Sequence, residues 1–214
     1  FFACEIFSLF AQPRSITIWH LSALCSTGRR SMIMFQQMCS QDWRLNRKKK
    51  ARDQRDAFDE QDLKRIFNLR KLKSESINKN KPAYYWVPLL GLYTGARLNE
   101  LCQLYVNDIK EIDKIWCIDI NRNTNDKKLK NASSERVIPI HPKLIELGFL
   151  NFVKEQKKNN SQRLFSHLKL GSDGYIKNVS RFFNVKWLPE IGVKTNKKSF
   201  HSLRHTFANG LKQA

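Results

Sequence analysis

The chain has 214 residues, 41% of them hydrophobic, with 39 Lys plus Arg against 19 Asp plus Glu for a formal charge of +20; a core can be built, and the basic excess is the footprint of a polyanion partner, most often nucleic acid. The five cysteines (Cys4, Cys25, Cys39, Cys102, Cys117) are far apart with no Cys-x-x-Cys pair, which argues against a zinc module or a disulfide framework and fits a reducing cytoplasm. No apolar run approaches the roughly 20 residues that span a bilayer, and the apolar opening is interrupted by Glu5 and lacks a basic n-region.

Residues 1–43 differ from the rest, with three basic residues (Arg14, Arg29, Arg30) and two acidic ones (Glu5, Asp42). They show no sustained helical or strand period, and are left unassigned or read as the remnant of an upstream DNA-binding domain. Residues 44–57 form a basic, Gly-free linker with Arg44, Arg47, Lys48, Lys49, Lys50, Arg52 and Arg55. Such a run can lie along a DNA backbone or be a solvated charge run.

A helix is expected to start at Asp59, an N-cap with Asp62 at the third position and Phe58 stapled onto Leu63, and to run to Asn78. Residues 84–93 are nearly all apolar and predict a buried helix, ended by Thr94-Gly95 with glycine in the left-handed position. Arg97 then opens a helix carrying Leu98, Leu101 and Leu104. It sits at a tight helix–helix junction, where free N–H groups suit a phosphate, although an arginine capping the preceding carbonyls is the competing explanation.

Residues 115–120 and 135–140 read as two strands of a β-hairpin. Their long connection carries Lys127, Lys128 and Lys130. Pro142 opens the next helix, with Leu144, Ile145, Leu147, Leu150 and Val153 on its apolar face. Residues 159–162 and 171–174 are loops, and 175–188 form a helix with Val179, Phe182 and Phe183 inward. A basic loop, 194–199, enters the last helix.

That helix carries Phe200, Leu203, Phe207 and Leu211 on one stripe and His201, Arg204, His205 and Ala208 on another. One face can grip a core while the other presents an imidazole and a guanidinium, one turn apart. Arg can take two phosphodiester oxygens in a fork while His adds a donor or moves a proton. A basic surface helix gives the same pattern. A metal reading of His201 and His205 is disfavoured, because no Glu follows His201 and Arg204 would place a positive charge beside the cation.

Three separated pieces resemble the motifs of the tyrosine recombinase (phage integrase) family. They are Thr94-Gly95-Ala96-Arg97-Leu98-Asn99-Glu100-Leu101, then Lys130-Asn131-Ala132-Ser133-Ser134-Glu135-Arg136-Val137-Ile138-Pro139-Ile140-His141, then His201-Ser202-Leu203-Arg204-His205-Thr206. Their order and spacing agree with the family over roughly 58–214, closest to prophage-type integrases. The resemblance implies a mainly α catalytic domain with a small antiparallel sheet. It implies site-specific recombination of double-stranded DNA through a 3′-phosphotyrosine, without metal, ATP or another cofactor, in the bacterial cytoplasm at the nucleoid. By that resemblance Arg97 and Arg204 would stabilise the phosphorane, Lys130 would protonate the leaving 5′-oxygen, with Lys127 and Lys128 as competitors, and His201 would assist proton movement. Glu100 would orient Arg97 or cap its helix.

The family places a further His or Trp, and then the tyrosine, beyond the His-x-x-Arg motif, whereas this chain ends ten residues after Arg204. The expectation is therefore a partial domain that cannot cleave DNA alone, monomeric although full-length relatives act as tetramers on DNA. A non-catalytic basic DNA-binding module left from a decayed integrase is the alternative.

Overall fold

A computed structural model describes residues 55–213, and the compact unit they build is Arg55–Asn209. The segment 1–43, and the basic linker apart from residues 55–57, lie outside the described residues. Among the described residues, the α-helices of five residues or more are α1 (Glu60–Ile66), α2 (Leu69–Asn78), α3 (Ala83–Thr94), α4 (Leu98–Cys102), α5 (Pro142–Glu146), α6 (Phe149–Lys158), α7 (Lys177–Arg181) and α8 (Phe200–Gln213). Three strands, β1 (Ile109–Ile112), β2 (Ile115–Ile120) and β3 (Arg136–Pro139), form one antiparallel sheet in that order. The architecture is the mainly α, small-sheet class expected from sequence.

Apolar α3 is the axis of the unit. All twelve of its residues are buried, including Pro88 in its interior. Around it Tyr84 stacks on Phe182 at 4.0 Å, and Trp86 meets Phe149 at 5.3 Å and Phe152 at 5.7 Å. These rings surround the axis with apolar surface from two other helical segments, the main favourable term in folding.

Asp59 caps α1 as expected: its carboxylate accepts from the Asp62 N–H at 2.8 Å, and Asp62 returns the bond to the Asp59 N–H at 3.2 Å. The single helix expected to Asn78 is two, because Asn68 accepts from the Lys71 N–H and restarts the chain as an N-cap. Likewise the helix opened by Pro142 breaks at Gly148, whose φ of 90° is left-handed. Ile145, expected on the inner face, is exposed. Strand β1 is an addition: Asp113 and Lys114, at φ 49° and 66°, turn it onto β2 without a glycine. After α7 the coil widens into a π-helical segment, Phe182–Trp187. Leu104, expected in the Arg97 helix, is buried beyond its end.

Candidate active site

Gly95 terminates α3 at φ 60° and passes the chain directly to α4. An added Cβ there would lie 2.4 Å from the Phe207 ring of α8, so α3 and α8 approach closely only over a glycine. Arg97 follows as the N-cap of α4. Its backbone N–H donates to Glu100 Oε2 at 3.0 Å and its Nη1 donates to Glu100 Oε1 at 2.8 Å. Glu100 is only 2% exposed and also receives Arg136 Nη2 at 2.8 Å. Burial pushes its carboxyl up, but the bond and charge of Arg136 and the bonds from Arg97 win, leaving it below the usual range. One ionised carboxylate thus orients two guanidiniums.

The last helix supplies the opposite wall. Phe200 and Leu203 are buried and Phe207 half-buried, while Leu211 is exposed. The Phe200 N–H donates to Asn184 Oδ1 at 2.8 Å, so a residue of the π segment caps α8 from outside it. Arg204 reaches back to donate to the Gly95 carbonyl through Nη1 at 2.5 Å. Desolvation, then the charges of Arg97 and Arg136, lower its pKa; as a guanidinium it stays cationic at neutral pH. His201 meets His205 edge-on, ring centres 5.0 Å apart. His201 is an exposed residue, yet desolvation first, then His205, Arg204, Arg97 and Arg55, push its pKa down to about 4. At neutral pH it is therefore an uncharged imidazole among cations.

Between these walls lies a cavity of about 180 Å³, lined by residues 96–98 on one side and by Asn184 with residues 199–201 on the other. Arg97 and His201 line it directly, and Arg204 is fixed beside it on Gly95. Three guanidiniums against one carboxylate leave the locality strongly positive. Among the described residues no cluster of His, Cys, Asp and Glu could hold a metal ion.

The phage integrase family model matches residues 56–214. The chain belongs to the phage integrase family. This integrase-family chain is similar in three dimensions to the XerH site-specific recombinase bound to difH substrate in a pre-cleavage complex. The identity is 18%, covering 75% of this chain and 44% of that one, with a TM-score of 0.44. It is also similar to XerA recombinase, with 20% identity, 74% and 51% coverage, and a TM-score of 0.46. It spans about half the length of these recombinases. No curated protein matches it.

Of the residues singled out from the integrase motifs, the structure brings Arg97, His201 and Arg204 together. Lys130 stands apart on the exposed β2–β3 connection. Lys127, considered as its competitor, cannot reach out. Its side chain is 3% exposed, with Nζ 2.7 Å from Asp108 Oδ2 and 2.7 Å from Asn121 Oδ1. Burial with a carboxylate has made it a structural cation. Two residues at the site were missed. Arg136 lies inside a quoted motif but alternates along a strand, where pattern alone shows no partner. Asn184 sits in an expected helix, and its signal, a polar residue between Phe183 and Val185, was visible but undirected.

Proposed function

We propose that this chain provides the phosphate-binding half of a site-specific DNA recombinase acting on double-stranded DNA. The observation that carries this reading is a cavity lined by Arg97 and neutral His201, with Glu100 holding Arg97 in place and Arg204 bonded to the adjoining Gly95 carbonyl. Two guanidiniums donate to the non-bridging oxygens of the scissile phosphate, where charge accumulates as the phosphorus becomes five-coordinate. They are pre-oriented by protein bonds, so little reorganisation is needed when the charge develops.

The attacking tyrosine oxygen forms the new P–O bond as the P–O5′ bond breaks. Its proton passes toward His201, which can accept one because it is neutral. Lys130 donates a proton to the departing 5′-oxygen. The product is a 3′-phosphotyrosine and a free 5′-hydroxyl, and attack by a second 5′-hydroxyl reverses the step. No described tyrosine lines the cavity. The Tyr175 hydroxyl already donates to Asp126 Oδ2 at 2.7 Å, and burial and that bond raise its pKa. The attacking hydroxyl is therefore none of these.

Selection from a pool of randomised duplexes tests the reading. A discrete recovered sequence, captured by the wild type and lost on Arg97→Ala and Arg204→Ala, is expected. Recovery without sequence enrichment, equal for both variants, would reduce the protein to a general binder of DNA. A denaturation-resistant DNA adduct that disappears in Tyr175→Phe would refute the exclusion of that tyrosine.

A further inference from the structure

The connection between β2 and β3 is tied down at two points, and both ties run to the segment that bears Arg97. On the near side, the Lys128 N–H donates to Gln103 Oε1 at 2.9 Å, and the Lys128 carbonyl accepts from Asn99 Nδ2 at 3.3 Å. Asn99 Nδ2 also donates to Gln103 Oε1 at 3.1 Å, which locks the two side chains into one clamp. On the far side, Arg97 Nη1 donates to Ser134 Oγ at 3.1 Å, and Arg136 bridges the Ser134 carbonyl and Glu100 at 2.8 Å each. Asn99 and Glu100 are residues of α4, Arg97 is its N-cap and Gln103 its C-cap.

The clamp is itself held from behind. Asn99 Oδ1 accepts from the Tyr175 N–H at 3.1 Å. Gly174 makes that approach feasible: at φ 83° a Cβ there would stand 2.3 Å from Asn99 Oδ1. Just before Lys128, Asp126 takes the hydroxyls of Tyr105 and Tyr175 and the guanidinium of Arg163, and Lys127 is buried against Asp108. Only residues 129–133 lie between the two feet.

From this geometry we infer that Asn99 and Gln103 are positioning residues, which fix the foot of the arch so that Lys130 is the lysine delivered to DNA. Lys127 is buried, and Lys128, although exposed, is bound at both backbone groups, which holds its Cα at the foot of the arch. Lys130 is the first lysine on the free arch. It lies two residues from the Lys128 foot, so its Cα can stray no more than about 7 Å from that of Lys128. Arg97 and Lys130 thereby move as one unit, since one helix holds the guanidinium and both feet of the lysine-bearing arch. The role given to Lys130 rests on the recombinase reading; the tether rests on the hydrogen bonds alone.

The test uses the full chain with two readouts. The first is hydrogen exchange at the Lys128 amide. The second uses duplex DNA carrying an abasic site, whose aldehyde forms an imine with a nearby lysine amine that borohydride reduces to a stable crosslink, mapped by peptide mass. In the wild type the Lys128 amide should be protected and the crosslink concentrated on Lys130. Gln103→Leu removes the acceptor, and Asn99→Asp removes the donor to the Lys128 carbonyl while keeping the oxygen that faces Tyr175. Gln103→Leu should speed exchange at Lys128 several-fold, and both variants should spread the crosslink to Lys128. Gln103→Glu keeps an acceptor and should stay close to wild type, which a loss of packing alone would not explain. Exchange at the wild-type rate in the folded Gln103→Leu variant, or crosslinks still confined to Lys130 in the folded Asn99→Asp variant, overturns the inference. A wild-type chain that binds no duplex sinks the recombinase reading instead, and the exchange result then decides the tether by itself.

Discussion

Arg97 and Arg136 share one carboxylate: Glu100 holds the first at Oε1 and the second at Oε2, each at 2.8 Å. The pairing joins the helix junction after Gly95 to strand β3, elements 36 residues apart in sequence. It also confines two mutually repelling guanidiniums beside Arg204, whose pKa is lowered by desolvation and then by their charges. A buried carboxylate between cations is the inexpensive way to hold such a cluster before a phosphate arrives, because each guanidinium alone would carry its desolvation unpaired.

Glu100→Gln should lower stability by about 3 kcal/mol, the low end for breaking a buried pair, since its partners remain partly exposed. The pH dependence has a defined sign. The folded-state pKa lies below the ordinary value of 4.5, so the contribution is complete above that value and is lost as pH falls through the folded pKa. Thermal unfolding of wild type and variant should differ most at neutral pH and converge in acid.

Asp126 should show the same behaviour further into acid. Burial raises its pKa, but hydrogen bonds, including those from Tyr175 and Tyr105, and the charge of Arg163 bring it down to about 2. Its share of the stability is present above 3.8 and disappears between there and about 2. Asp126→Asn should cost about 2 kcal/mol at neutral pH, as expected when a hydrogen bond to a charged group is removed. Chemical denaturation at several pH values reads this directly.

His201 should titrate near 4 in the free protein, followed by NMR of its imidazole. Because the folded pKa lies below the ordinary 6.5, its neutral form is favoured by folding, and stability declines as pH falls from 6.5 toward 4. Adding duplex DNA should move the midpoint upward, since a phosphate in the cavity offsets the cations that, after desolvation, depress it. An unmoved midpoint at saturating DNA would place the phosphate elsewhere.

Gly95→Ala should destabilise the unit by about 2 kcal/mol or more, combining a left-handed backbone with a forced clash. The added methyl would meet the Phe207 ring, and Arg204 hangs from the same residue's carbonyl. Loss of DNA affinity should therefore accompany the fall in melting temperature.

Sequence pattern located the apolar α3, its glycine stop, the capped start at Asp59 and the three motifs, because each depends on local chemistry. Arg97, His201 and Arg204, singled out from those motifs, lie close together in the structure. Asn68 and Gly148 were misjudged as interior to helices, since apolar residues continue on both sides and only the backbone geometry reveals the break. Strand β1 was missed because Asp113-Lys114 turns without a glycine signal. The burial of Lys127, and the clamp formed by Asn99, Gln103 and Lys128, depend on contacts across 19 to 29 residues of sequence. No periodicity carries that information.

The most direct measurement is duplex DNA affinity, by fluorescence anisotropy at physiological salt, for wild type, Arg97→Ala, Arg204→Ala and Lys157→Ala, with each variant's fold checked by thermal melting. Lys157 is an exposed cation on α6. The account predicts at least a tenfold loss for each pocket variant, about 1.4 kcal/mol, and little change for Lys157→Ala. Equal affinities for all four proteins would mean that general charge binds the DNA and that the cavity beside Arg97 and Arg204 is not its phosphate site.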